Sequence, residues 1–243
     1  MRLFGLIGHP VSHSFSKSFF DKKFEAENLS DCRYELMDLA TIKDVASLKS
    51  NKNINGLNVT IPYKQAVLPF LDDISDAAQL IGAVNTIKVK DGKWIGHNTD
   101  VVGFEKSLVP LLNPIIKKAL VLGSGGAYLA VKYVLDKLSI SSSLVSRQSL
   151  SALYRYEDIT KSVLNDHQLI INTTPVGMFP DVNKMPEIPF HLLNPFHLVY
   201  DLVYNPEETL LLKNAAFIGC RVKNGLEMLQ IQAEESWKIW TTD

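Results

Sequence analysis

Lys118-Ala119-Leu120-Val121-Leu122-Gly123-Ser124-Gly125-Gly126-Ala127 joins a short apolar run to a glycine turn, and a helix-like stretch over residues 127–138 follows at once. Strand, tight glycine turn and helix, in that order, form the phosphate-binding start of a dinucleotide fold. Glycines let backbone N–H groups approach a pyrophosphate, and the helix N-terminus adds positive potential. The fingerprint also asks for a small residue five positions after the first glycine, and Tyr128 stands there instead. Glycine turns between strand and helix also occur in sheets that bind nothing, so the motif alone leaves a purely structural role open.

Downstream, residues 143–146, 169–173, 198–202 and 221–223 are strand candidates, and residues 226–240 read as a long amphipathic helix. Upstream, the same rhythm is already running. Residues 2–7, 32–39 and 56–61 are strand-like, and residues 16–28 place Phe19, Phe20 and Phe24 at helical spacing. Residues 41–49 are helical in pattern, and Pro62 opens a further helix-like stretch over residues 63–71. Asp91-Gly92 predicts a hairpin between residues 86–90 and 93–97. The alternation predicts an α/β chain: an N-terminal α/β domain with a mostly parallel sheet, followed by a Rossmann-like dinucleotide-binding domain, with the boundary between Asp100 and Pro114.

The chain has 243 residues, 46% of them hydrophobic, and a net charge of −1, which suits two small packed domains and excludes both a disordered chain and a basic nucleic-acid binder. Cys32 and Cys220 have no metal-ligand spacing and form no disulfide framework, so they read as reduced thiols of a cytoplasmic protein. The apolar start before His9-Pro10 is too short for a signal-peptide core, and no apolar run approaches a membrane span. No metal, nucleic acid or membrane partner is expected.

Chemistry concentrates in two places. In Gly56-Leu57-Asn58-Val59-Thr60-Ile61-Pro62-Tyr63-Lys64, Asn58 and Thr60 share one face of a strand, and Lys64 follows it towards the carboxyl end, where open α/β sheets bind ligands. In His97-Asn98-Thr99-Asp100 the hairpin delivers a carboxylate. A ketone reduced to an alcohol needs a hydride on carbon and a proton on oxygen. An ammonium beside a carboxylate stays charged and supplies that proton, and takes it back as a base in the reverse direction. Taken singly, Lys64 also reads as a solvated charge and Asp100 as a helix N-cap. After the next strand, Leu144-Val145-Ser146-Arg147 puts an arginine where a ribose 2′-phosphate is recognised, with no acid beside it; that favours NADP, the alternative being an ordinary surface arginine.

Together these residues resemble the shikimate dehydrogenase family. The resemblance is carried by Gly8-His9-Pro10-Val11-Ser12-His13-Ser14-Phe15-Ser16, the Asn58 to Lys64 stretch, Ile81-Gly82-Ala83-Val84-Asn85-Thr86 and Asn98-Thr99-Asp100. Asn172-Thr173-Thr174-Pro175-Val176-Gly177-Met178, the run from Tyr200 to Pro206, and Asn224-Gly225-Leu226 with Gln232 complete it, in the family's order and over nearly the whole chain. The resemblance implies reversible NADPH-dependent reduction of 3-dehydroshikimate to shikimate, in chorismate and aromatic amino-acid biosynthesis. It implies Lys64 and Asp100 as the catalytic pair. Ser14, Ser16, Asn58, Thr60, Asn85 and Gln232 would bind the substrate, with Tyr204 closing the site.

For the cofactor, the resemblance implies Gly123, Ser124, Gly125, Gly126 and Ala127 at the pyrophosphate, Ser146 and Arg147 at the 2′-phosphate, and Thr173, Gly225 and Met228 at the nicotinamide side. It further implies a substrate-binding and catalytic domain over residues 1–101, with the helix of residues 226–243 packing back on it, and an NADP-binding domain over residues 102–225. A monomer or homodimer fits. Ser14 and Ser16 also read as helix caps, and Asn85 as a turn residue.

The sequence departs from the family pattern at Lys17, Phe20 and Val101 on the substrate side, and at Tyr128, Leu129 and Ser146 on the cofactor side. Residues 148–157 are too few for the usual crossover helix. A quinate/shikimate dehydrogenase using NAD is the near alternative. A non-catalytic shikimate-binding regulator and a folate-type dehydrogenase are the distant ones; the lysine–aspartate pair counts against the regulator, and the paired serines count against the folate-type enzyme.

Overall fold

A computed structural model describes residues 1–12, 14–147 and 150–242, so that His13, Gln148, Ser149 and Asp243 lie outside the described residues. The chain divides into two compact units, Met1–Val102 with Gln230–Asp243, and Gly103–Leu229.

The first unit contains β1 (Arg2–Gly8), α1 (Phe15–Ala26), β2 (Cys32–Asp38), α2 (Val45–Leu48), β3 (Ile54–Val59), β4 (Asp73–Ile74), α3 (Asp76–Ile81), β5 (Thr86–Lys90), β6 (Lys93–His97) and the start of α4 (Asp100–Leu108). Its strands lie in the order β2-β1-β3-β5-β6-β4. The pairings of β1 with β2 and β3, and of β4 with β6, are parallel, whereas β5 runs antiparallel to both β3 and β6. Asp91 and Gly92 both take positive φ, 52° and 74°, which is the two-residue turn that the strand twist favours. One face of the sheet buries Ile7, Leu57, Val59, Ile87 and Trp94. The other buries Phe4, Leu6 and Tyr34 against Phe20 and Phe24 of α1 and against Ala233, Trp237 and Trp240 from the C-terminal residues.

Residues 63–71 do not form the helix that Pro62 suggested. They are turns followed by a short 3-10 segment, Leu68–Phe70. The reason is Pro69, which has no N–H to donate and so cannot close an α-helical bond back to the Gln65 carbonyl. Lys64 therefore sits in a turn after β3 and not on a helix.

The second unit holds β7 (Lys118–Leu122), α5 (Gly126–Lys137), β8 (Ser141–Val145), α6 (Lys161–Asp166), β9 (Leu169–Asn172), β10 (Leu198–Asp201), α7 (Leu210–Phe217), β11 (Arg221–Lys223) and the start of α8 (Leu226–Thr241). Its strands are all parallel, in the order β11-β10-β9-β7-β8. Leu120, Leu122, Ile170 and Val199 are buried within near-continuous apolar runs, as befits strands covered on both faces. Among the described residues no α-helix occurs between Val145 and Lys161; Tyr154 returns to form a single parallel bridge with Val145.

Candidate active site

The carboxyl end of β3 and the start of α4 bring Lys64 and Asp100 together. Lys64 Nζ lies 2.6 Å from Asp100 Oδ2, with the two side chains only 16% and 7% exposed. A second donor, Asn85 Nδ2, reaches Asp100 Oδ1 at 2.9 Å. Asp100 is the first residue of α4, where the helix dipole favours negative charge. The carboxylate thus has both oxygens engaged, and the ammonium is held against it with no other acceptor among the described residues, which leaves protons to meet a substrate oxygen.

Around this pair the first unit gathers amides and hydroxyls. Asn85 is fixed through Thr99, whose N–H donates to Asn85 Oδ1 at 2.7 Å. Gln232 Oε1 accepts from Thr99 Oγ1 at 3.3 Å and from Asn85 Nδ2 at 3.4 Å. Asn58 Nδ2 donates to Ser236 Oγ at 3.0 Å and to the Asn85 carbonyl and Thr86 Oγ1, both at 3.3 Å. Thr60 follows β3 beside Gly8, and its N–H donates to the Ile7 carbonyl. Ser16 is buried at the start of α1, and Ser14 is the N-cap of that helix, accepting from Ser16 N at 3.2 Å. The capping role read from the sequence for Ser14 is therefore realised, and it leaves the Ser14 hydroxyl hydrogen available to a ligand.

The remaining candidates belong to the second unit. Tyr204, the substrate candidate in this unit, is half-buried in the segment after β10. Gly123 takes φ +99°, and a Cβ there would meet Thr174 Cγ2 at 2.6 Å, so only glycine fits between β7 and the end of β9. Thr173 Oγ1 donates to the Leu122 carbonyl at 2.8 Å, tying that end of β9 to the glycine turn. Gly125 precedes α5, whose N-terminus has no side-chain cap. Ser124, Gly125, Gly126 and Ala127 therefore present backbone N–H groups without an internal acceptor side chain, a donor set that matches a pyrophosphate.

Ser124 Oγ and Ser146 Oγ lie 3.3 Å apart, and Arg147 is exposed next to them at the end of β8. Arg155 Nη1 donates to the Arg147 carbonyl at 2.6 Å. Gly225 stands where a Cβ would be 2.0 Å from the Leu202 carbonyl oxygen, and Met228 is buried one turn into α8.

The family match agrees with this geometry. Residues 6–87 match the model of the shikimate dehydrogenase substrate binding domain. The NADP(+)-dependent shikimate dehydrogenase of Staphylococcus epidermidis is 38% identical, over 98% of this chain and 91% of the relative. The chain belongs to the shikimate dehydrogenase family. Solved shikimate dehydrogenases from Aquifex aeolicus and Thermus thermophilus superpose with TM-scores of 0.87 and 0.86 at 35% and 33% identity, covering 99% of this chain and 92% and 94% of theirs. The second of these was solved with NADP(H) and shikimate.

Several residues that complete the site were not singled out from the sequence. Ser236 and Thr86 join Asn58 to Asn85, and Tyr34 holds the far end of Asn58. For Ser236 a signal was present, because it lies four residues after Gln232 on one helix face. Asp201 and Asn172, which pair at the carboxyl ends of β10 and β9, lie in stretches that carry the family resemblance but had no role assigned there.

Proposed function

We propose that the protein is an NADP-dependent shikimate dehydrogenase that reversibly reduces 3-dehydroshikimate to shikimate. The observation that carries this reading is the buried Lys64–Asp100 pair set among amide and hydroxyl partners. A small polyhydroxylated acid needs many such partners, and a site of this kind rejects analogues that leave them unpaired. Ser14, Ser16, Asn58, Thr60, Asn85 and Gln232 bind hydroxyls and carboxylate, and Tyr204 closes over the substrate. Residues 1–101 with 226–243 act as the substrate half, and residues 102–225 as the NADP half.

NADPH supplies the hydride. Lys64 Nζ holds the ketone oxygen and gives it a proton as the alcohol forms; Asp100 orients the ammonium and keeps it charged until then. In oxidation Lys64 accepts the hydroxyl proton. On the cofactor side, residues 123–127 hold the pyrophosphate with backbone N–H groups, Thr173, Gly225 and Met228 flank the nicotinamide, and Ser146 and Arg147 meet the 2′-phosphate. The unpaired thiols of Cys32 and Cys220 suit the reducing cytoplasm.

The deciding experiment is the absorbance of reduced nicotinamide on adding shikimate or quinate with NADP or NAD. Appearance of NADPH with shikimate supports the reading; shikimate binding without turnover under either cofactor overturns it. Because Arg147 is exposed, its contribution is that of a solvent-accessible charged hydrogen bond. Arg147→Ala is expected to raise KM for NADP about tenfold and to leave KM for NAD within about twofold. Equal changes for the two cofactors would remove Arg147 from the 2′-phosphate site.

A further inference from the structure

We propose that Tyr34 is a positioning residue of the substrate site, a buried phenol that fixes Asn58 in the orientation the substrate meets. The proposal rests on the reading of Asn58 as a substrate-binding residue.

Tyr34 is on β2, and β1 lies between β2 and β3 in the sheet, so the phenol reaches across a strand to find its partner. Its hydroxyl donates to Asn58 Oδ1 at 2.8 Å. One oxygen thus ties β2 to β3 across the intervening strand. The ring has no freedom to release it. It is fully buried, stacked on Phe20 with centroids 4.5 Å apart and planes 14° apart, and flanked by Trp240.

The bond to Tyr34 decides which way the Asn58 amide faces. An asparagine amide offers an acceptor at one end and two donors at the other. With Oδ1 taken by Tyr34, Nδ2 faces Ser236, Thr86 and the Asn85 carbonyl, towards the Lys64–Asp100 pair. Two N–H groups are there shared among three acceptors at 3.0–3.3 Å, so a substrate hydroxyl replaces one of the long bonds without leaving a buried donor unmet. Without Tyr34 only the Asn85 carbonyl, which can accept but not donate, still holds that orientation, because the Thr86 and Ser236 hydroxyls fit either end of the amide. Burial drives the phenol's pKa far above its ordinary value, so it stays a donor at every working pH and takes no part in proton transfer.

The test is Tyr34→Phe, which removes one oxygen and keeps the ring packing. The expected result is a rise of about tenfold in KM for shikimate, with kcat and KM for NADP within about twofold. Asn58→Ala and the double variant complete a cycle: if Tyr34 acts through Asn58, its effect on KM shrinks or disappears once Asn58 is alanine. A role confined to core packing lowers the melting temperature without this split and without coupling, and overturns the proposal. An unchanged KM for shikimate also overturns it.

If the Phe variant is only marginally folded, the shikimate-induced rise in its melting temperature is compared with that of the unsubstituted protein. A smaller rise supports the proposal, and an equal rise overturns it. Absence of shikimate oxidation by the unsubstituted protein is a different outcome, which removes the dehydrogenase reading itself.

Discussion

Lys64→Ala is expected to lower kcat by about 1000-fold while KM for shikimate changes far less, because the amine acts on the oxygen whose charge changes during reaction. The geometry sets the size of the effect. Lys64 is held 2.6 Å from Asp100 in a site where both side chains are mostly buried, so water does not readily replace it as a placed proton donor. The same burial gives the variant a stability cost, since Asp100 loses one of its two described partners. Breaking a buried pair in this way costs about 3–5 kcal/mol in fully buried cases.

Here Asn85 Nδ2 still donates to Asp100 Oδ1, and the start of α4 still favours the charge, so the loss falls at or below that range and the unit stays folded. Circular dichroism and a denaturant titration separate the two effects. A folded variant with turnover near that of the unsubstituted protein would refute the role of Lys64. Recovery of part of the lost rate by added primary amine would support it, because a small amine fits the space the side chain leaves.

What the sequence disclosed and what it did not follow from the range of the interactions involved. Asp91-Gly92 was legible because its turn chemistry is contained in two residues. Gly123 was legible because the strand, turn and helix that require it are contiguous. The Lys64–Asp100 pair spans 36 residues, and it became legible only through the chemistry of ketone reduction and the family resemblance. The helix expected over residues 63–71 failed at Pro69, a local signal that outweighs the one given by Pro62. The short elements α3, α6 and α7 carry too few residues for a periodic pattern to declare itself. Tyr34 and Asp201 were illegible for another reason. Each looks like an ordinary strand residue, and its meaning lies in a partner on a neighbouring or more distant strand, fixed only when the sheet order is known.

Asp201→Asn is expected to gain stability relative to the unsubstituted protein as pH rises from about 4 to about 6, by up to about 3 kcal/mol. Asp201 is fully buried at the end of β10 and accepts from Asn172 Nδ2 at 2.9 Å, Val203 N at 3.0 Å and Thr209 Oγ1 at 2.7 Å. Burial outweighs these three donors and pushes its carboxyl from 3.8 up to about 6. A carboxyl whose folded value is raised contributes its full stability below 3.8, where it is protonated in both states, and loses it as pH rises through about 6. Asparagine never ionises and so escapes that loss. Its Oδ1 still accepts from Asn172 and Val203, and the Thr209 hydroxyl turns to accept from the new amide.

Denaturant unfolding of both proteins across this pH range measures the difference directly. A difference that stays constant with pH would mean that Asp201 does not titrate there. The substitution also probes the site, because Asn172 Oδ1 accepts from Thr174 N at 3.0 Å and from its hydroxyl at 2.6 Å, while Val203 and Thr209 bracket Tyr204. If Asp201 serves only as a hydrogen-bonding hub, asparagine preserves the hub and kcat at neutral pH stays within about twofold. A large fall in kcat at unchanged stability would instead show that the negative charge itself acts on the cofactor side of the reaction.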